Sequence, residues 1–329
     1  MSGSRSVRDE VEYRNIKANA SIGFIGRHAI WALLLISCAV FGAMNSHFLT
    51  LFNLSDILLQ TAFLGLLAVG LTPIMINGNI DLSIGATLGL SACLVVGLQS
   101  HGLVASVLVA IVTGAALGLL NGWLVEKAGI NSFVVTLAAM IGVRGLAFVY
   151  AGDGTISASD PRFVDLGTMN FGPIQITVIV FAVLAVVFHW MLSKTIHGRN
   201  AYAIGGNRSA AVNAGVAVPS HVIINFAICG AMASLCGIAM AAQLGSATPS
   251  FGSGYELWAI TAVVLGGTAL KGGRGGVVGT LGGALTLAVL RNGMDIVQIQ
   301  PFYAQVILGA VLIAAIAVNR GVNQPLHAG

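Results

Sequence analysis

The segment Asn77-Gly78-Asn79-Ile80-Asp81-Leu82-Ser83-Ile84-Gly85 sets four polar side chains, Asn77, Asn79, Asp81 and Ser83, and two glycines between long apolar runs. It carries no basic residue of the kind that marks a cytosolic loop. Two readings follow. In one, the segment is a break at membrane depth, because irregular backbone survives in lipid only where it lines a cavity and there presents polar groups to a solute. In the other, Asp81 caps the helix that follows an ordinary short loop, since Asp is a favoured cap. A second candidate is Gly266-Gly267-Thr268. The apolar arms 257–270 and 277–290 that surround it span only 14 residues each and are interrupted at Gly266-Gly267 and Gly282-Gly283, which points to the same device of discontinuous helices.

Other chemistry is excluded residue by residue. Lys271-Gly272-Gly273-Arg274-Gly275-Gly276 superficially resembles a phosphate loop but lacks the G-x-x-x-x-G-K-[ST] pattern. None of the seven histidines pairs with a Cys, Asp or Glu at metal-ligand spacing, and no serine sits in a nucleophile elbow. No catalytic residue, cofactor site or metal site is therefore expected. Arg144 lies inside an apolar run, where charge marks function by default, but its position near the outer end favours an anchor that snorkels to the headgroups.

The elements that must hold these groups are set by composition. Of 329 residues 57% are apolar and only 8% charged, against about 25% charged in ordinary soluble domains. Apolar runs near the length that crosses about 30 Å of hydrocarbon recur at 29–44, 57–76, 82–99, 103–125, 131–151, 174–192, 222–242, 257–270, 277–290 and 303–319. The expectation is an all-α polytopic membrane protein of about ten transmembrane helices, some discontinuous, with both termini cytoplasmic. It divides into a cytoplasmic segment 1–28, one transmembrane domain 29–319 and a tail 320–329. Orientation follows from the positive-inside rule, because 12 of the 15 basic residues then fall on the cytoplasmic side. Asp56, Asp153, Asp160, Asp165, Glu256 and Asp295 are assigned to outer loops. The net charge of +4 is a topology signal and implies no nucleic-acid partner. Segment 1–28 has no short apolar core with a cleavage site, so no removable signal peptide is expected. Cys38, Cys93, Cys229 and Cys236 read as buried small hydrophobes.

Two loops exceed simple turns. The outer one, 152–173, is rich in turn residues and suits docking of an external partner. The inner one, 193–221, holds a Gly205-Gly206 break and then a short helix that Asn207 or Ser209 would cap and Gly215 would end. Such a stiff cytosolic element is what a membrane protein needs to receive force from a soluble partner. Gly114, Gly118 and Gly122, and Gly275, Gly279 and Gly283, repeat at four-residue spacing and read as close helix packing.

Three stretches, Asn77–Gly85, Gly198–Gly215 and Gly254–Gly275, resemble in order the ribose/xylose/arabinose/galactofuranose class of ABC-importer permeases, and the resemblance extends from about Asn53 to Asn319. It implies a non-catalytic inner-membrane subunit that forms the path for a monosaccharide. It also implies an ABC ATPase subunit, a periplasmic sugar-binding protein and a second permease copy or paralogue as partners, in contact with membrane lipid. Ala210, Ala211 and Gly215 match the Ala-Ala-x-x-x-Gly core of the family's coupling loop, with Ser209 where the pattern usually has Glu. With Arg199, Asn207 and Arg208 these are the coupling residues, and Asn77, Asn79, Asp81, Ser83, Gly266, Gly267 and Thr268 the path candidates. The competing class is an ion-coupled secondary sugar transporter, which normally carries more ionisable groups in the membrane than Asp81 and Arg144.

Overall fold

A computed structural model describes residues 30–300 apart from Asp153, together with 302, 303, 305–307, 309–311 and 313. Segment 1–28, part of the tenth apolar run and the tail 320–329 lie outside the described residues. The described chain forms helices α1 (Ile30–Met44), α2 (Leu51–Ile76), α3 (Ile84–Gly97), α4 (Leu103–Glu126), α5 (Ser132–Ala151), α6 (Pro161–Thr168), α7 (Ile176–Lys194), α8 (Ile196–Gly206), α9 (Arg208–Asn213), α10 (Val218–Leu244), α11 (Tyr255–Leu265) and α12 (Val277–Ile296). Two-residue strands pair antiparallel: β1 (Ile156–Ser157) with β4 (Ser246–Ala247), and β2 (Asn170–Phe171) with β3 (Ile174–Gln175).

Six helices, α2, α4, α5, α7, α10 and α12, are long and apolar enough to cross a membrane. They differ in what surrounds them. In α4, α5 and α7 only 22%, 22% and 28% of the apolar window is buried, against 83% in α2. The buried residues of α7, Thr177, Phe181, Ala185, Phe188 and Leu192, form one helical stripe, and most of the rest of its surface is apolar up to His189. These three helices wall the side of the bundle, and α2 and α3 sit within it. The glycine stripes explain how tightly it closes. A Cβ at Gly114 would overlap Gly230 and Ser234 of α10, and one at Gly118 would strike the Phe226 carbonyl, so α4 and α10 meet backbone to backbone. Gly279 and Gly283 do the same for α12 against Gly266 and Ala262 of α11.

Helix ends sort into two groups. Ile76, Gly205 and Gly273 meet, Arg208 meets Glu126, and Ser132 meets Ile80, so the ends of α2, α4, α8 and α9, the start of α5 and the loop 271–276 share one face. At the other face Asn45 meets Ile296, Ser55 meets Pro173, and Gln99 meets Ser159. The described loops and helix ends thus fall on two opposite faces of the bundle.

Three details differ from that reading. The eighth run ends at Leu265 rather than 270, because Gly267 (φ +89°) turns the chain out of the helix. The ninth is a continuous helix of 20 residues, since Gly282 and Gly283 serve close packing and break nothing. Three acidic residues assigned to outer loops lie in helices instead: Glu256 in the first turn of α11, Asp56 inside α2 and Asp295 in the last turn of α12.

Candidate functional site

On the face that gathers the ends of α2, α4 and α8, the chain forms the short α9. Asn207 caps it by accepting from Ala210 N at 2.9 Å. At its end Gly215 (φ +80°) donates to Val212 O and Val216 donates to Ala211 O, the pair of bonds of a Schellman cap. Ser209 and Ala210 face solvent together with Val212, which is 54% exposed, while Ala211 is buried against the bundle. The outward apolar contact is therefore Val212, a residue the sequence motif does not single out.

Three ties join this element to the membrane helices. Arg208 donates from Nη1 and Nη2 to Glu126 Oε1 and Oε2, at 3.0 and 2.6 Å, and the bond to Glu126 raises the Arg208 pKa. Gly205 of α8 lies so close to the end of α2 that a Cβ would overlap Ile76 O, the carbonyl that accepts from Gly273 N at 2.8 Å. The third is a chain of hydrogen bonds with one consistent direction. Asn200 Nδ2 donates to His221 Nε2 (2.9 Å), His221 Nδ1 donates to His197 Nδ1 (2.8 Å), and His197 Nε2 donates to Asn225 Oδ1 (2.7 Å). This arrangement ties α8 to α10. Arg199 is exposed on α8.

The path candidates gather near the same face, and most of them end helices. Gly78 (φ +81°) donates to Met75 O and Asn79 to Ile74 O, while Gly267 donates to Val264 O and Thr268 to Val263 O. Both are Schellman caps, of α2 and α11. Asp81 is buried, and its Oδ1 accepts from Ser83 N (2.8 Å) and Ser83 Oγ (2.6 Å), closing the turn into α3; Asn121 of α4 donates to Ser83 Oγ at 3.0 Å. Asn77 differs, because both polar atoms of its buried amide lack a hydrogen-bond partner among the described residues.

Deeper lies a feature the sequence does not disclose. After β4 the chain turns back into the bundle, and α11 starts there with only 11 residues, about 16 Å against about 30 Å of hydrocarbon. Arg144 of α5 is the reason this loop can lie inside. Its Nη1 donates to Pro249 O at 2.5 Å and Phe251 O at 2.6 Å, satisfying two carbonyls of the loop. Cβ atoms at Gly85 and Gly89 of α3 would overlap Glu256 and Arg144 respectively, so the glycines make room for both charges, which interact electrostatically. Glu256 Oε1 accepts from Gly254 N, and its Oε2 has no hydrogen-bond partner among the described residues. Arg144 is thus a bolt for a re-entrant loop rather than a snorkelling anchor.

Beside it, α2, α11 and α12 enclose a cleft lined by Gln60, Leu64, Tyr255, Trp258, Leu287 and Arg291. On the face opposite α9 the loop 152–173 is folded onto the bundle. Gln99 Oε1 accepts from Ser159 N and Asp160 N, Phe163 is buried, and Leu166, Met169 and Phe171 are exposed. Hydrogen bonds from Arg162 hold the Asp160 carboxyl below its usual range.

Among known proteins, the chain matches the family of branched-chain amino acid transport system / permease components over residues 53–316. It is 38% identical to the ribose import permease RbsC of Escherichia coli K12 over 294 residues, 87% of this chain and 91% of the relative. It is 32% identical to the D-allose permease AlsC of the same strain over 305 residues, 92% and 94% of the two chains. Against the L-arabinose permease AraH of that strain it is 34% identical over 311 residues, again 92% and 94%. No solved structure matches.

Proposed function

The chain belongs to the transport-system permease family that it matches over residues 53–316, and from that premise we propose that it forms the path by which an ATP-binding-cassette importer brings a monosaccharide across the inner membrane. The matched relatives import ribose, allose and arabinose, which favours a sugar over the amino acid in the family's description. Ten spans with both termini cytoplasmic fit the two groups of helix ends. The face carrying α8 and α9 holds Lys127, Lys194, Arg199, Arg208, Lys271 and Arg274 and is taken as cytoplasmic.

The observation that carries the reading is α9, an exposed two-ended rod fixed to the ends of transmembrane helices. An ATPase that grips Val212, Ser209 and Ala210 moves α9, and Arg208 passes that motion to α4 through Glu126. Through Gly205 it reaches the joint between α2 and the loop 271–276, and through the paired histidines it reaches α10. The chain itself supplies no hydrolysis. Near the joint the buried Asn77 amide offers a donor and an acceptor to solute hydroxyls once the joint opens, and Asn79, Asp81, Ser83, Gly266, Gly267 and Thr268 set the backbone that opens. On the outer face Leu166, Met169 and Phe171 form the docking patch for a sugar-binding protein, and a second permease, identical or paralogous, completes the path.

The ion-coupled alternative finds less support, since Asp81 is engaged by Ser83 and Arg144 by two carbonyls. The test is reconstitution with the cognate ATPase and sugar-binding protein in liposomes. Uptake should require ATP and survive collapse of the ion gradient. Uptake driven by an ion gradient without ATP would overturn the reading.

A further inference from the structure

We propose that His197 and His221 form a proton-sensitive joint: the tie from α8 to α10 closes only while the facing Nδ1 atoms hold no more than one proton between them, so acidification of the cytoplasmic side opens it and uncouples transport. It rests on the reading of α8 and α9 as the elements that pass ATPase motion to the membrane helices.

The geometry sets the limit. The two Nδ1 atoms lie 2.8 Å apart, with the ring centroids at 4.7 Å. Whichever ring donates, the other must present a bare nitrogen, because two N–H groups cannot share one hydrogen bond. An imidazolium carries a proton on both nitrogens, so at most one of the two rings is charged while the bond stands. The ends of the chain impose no such limit. Asn200 faces His221 Nε2 and Asn225 faces His197 Nε2, and an amide offers either a donor or an acceptor on rotation. The contact between the two Nδ1 atoms is therefore the one that counts protons. Asn225 is buried and precedes Phe226, whose carbonyl is pressed against Gly118 of α4, so α8 grips α10 where α10 has no slack. Once the joint opens, α9 moves without carrying α10.

Nothing around the pair compensates a second charge. The elements packed against α8 and α10 at this end bring Lys194 of α7, Arg199 of α8, Arg208 of α9 and, from the loop 271–276, Lys271 and Arg274, while α2 ends without a charge. The carboxylate that α4 brings, Glu126, is held by Arg208 at 2.6 Å. Among the described residues His197 is the one charged group that acts electrostatically on His221. Separated imidazoles each gain a proton as pH falls through an ordinary pKa of about 6.5, whereas the closed pair takes up one at most. The open tie thus binds more protons than the closed one, so closure is favoured above that range and lost as pH falls through it. One pH unit below it, the additional proton shifts the balance toward the open tie about ten-fold.

The experiment uses the full importer in proteoliposomes with equal pH on both sides, and reads sugar transported per ATP hydrolysed between about pH 7.5 and about pH 5.5. In the unmodified importer that ratio should fall about five- to ten-fold. In His197→Asn the amide stands near the Nδ1 position and accepts from a charged His221, so the ratio should start lower and then stay within about two-fold across the range. Dividing one profile by the other removes the titration of the ATPase, the sugar-binding protein and the exposed His189. Backbone amide exchange of residues 196–206 in the unmodified importer, corrected for the intrinsic rate at each pH, should show protection falling about ten-fold over the same range. Parallel profiles, or unchanged protection of α8, would overturn the joint. Should His197→Asn fail to reach the membrane, the exchange decides alone. If ATP drives no sugar uptake at any pH, the functional reading falls first and this one with it; normal uptake with parallel profiles removes only the joint.

Discussion

Breaking the Arg208–Glu126 pair should loosen the transmission between α9 and α4 without abolishing ATP hydrolysis. The pair is bidentate, yet its two halves sit in different surroundings: the Arg208 side chain is 52% exposed and that of Glu126 only 2%. Fully exposed ion pairs are worth about 0.2 to 1 kcal/mol, and shielded hydrogen bonds to charged groups about 1.5 to 3. Solvent around Arg208 screens the pair toward the lower range, so about 1 kcal/mol is expected, a factor of about five in the balance between attached and detached α9. Arg208→Ala and Glu126→Ala should each cut sugar transported per ATP hydrolysed by about two- to five-fold in proteoliposomes. The double variant should be no worse than either single one, and the exchange Arg208→Glu with Glu126→Arg should recover part of the ratio. Raising the salt concentration should shrink the effect in the unmodified pair. Losses that add to within about 0.3 kcal/mol in the double variant would show that the two side chains do not act as a unit, and the transmission argument would fail.

Two other perturbations reach separate parts of the machine. Arg144→Gln keeps two N–H donors on a side chain too short to reach the two carbonyls as Nη1 does, and it leaves Glu256 without its opposite charge. Thermal stability in detergent should fall, and adding Glu256→Gln should restore part of it; an unchanged melting temperature in the single variant would refute the bolt. A Cβ at Gly215 would meet no atom within 4 Å, so the effect of Gly215→Val should come chiefly from the left-handed backbone at φ +80°, about 1 to 2 kcal/mol, with ATPase co-purification reduced. Gly215→Asn should retain association, because Asn tolerates that conformation, and equal behaviour of the two variants would mean that the cap is not strained.

What the sequence disclosed depended on how local the determinant was. Spans such as 103–125 and 131–151 agree with α4 and α5 to within a residue, because an apolar run bounded by turn residues needs no tertiary information. The capping of α9 by Asn207 and Gly215 was legible for the same reason. The polar clusters at 77–85 and 266–268 lie where helices end, but their alternation of glycine and polar residues does not say whether such groups cap a helix or face a cavity. The structure assigns Gly78 and Gly267 to caps, and both polar atoms of the Asn77 amide lack a hydrogen-bond partner among the described residues. The Arg144 bolt and the cleft could not be read at all. Arg144 is 105 residues from Pro249, and Gln60 is 195 positions from Tyr255, so no spacing rule connects them. The signal that existed was indirect: Tyr255, Glu256 and Trp258 lie in an otherwise apolar motif, and Glu256 at membrane depth needs a positive partner. Ala211 shows the converse. The motif counts it among the coupling residues, yet its side chain faces inward because one turn of helix must still bury one face.

The uneven burial of the helices also sets what kinds of change the chain can absorb over time. Around α7, where five of 19 residues are buried, most positions need only be apolar, and exchanges among Leu, Val, Ile and Phe there leave nothing unpaired. In α3, 12 of 14 residues are buried, and Gly85 and Gly89 cannot gain a methyl group without displacing Glu256 or Arg144. A library of random substitutions scored by growth on the transported sugar should therefore find neutral variants scattered along α4, α5 and α7, and next to none in α3. Diversification in this chain is confined to the surface that lipid sees, and the charged interior stays fixed because two glycines of one short helix hold the space for it.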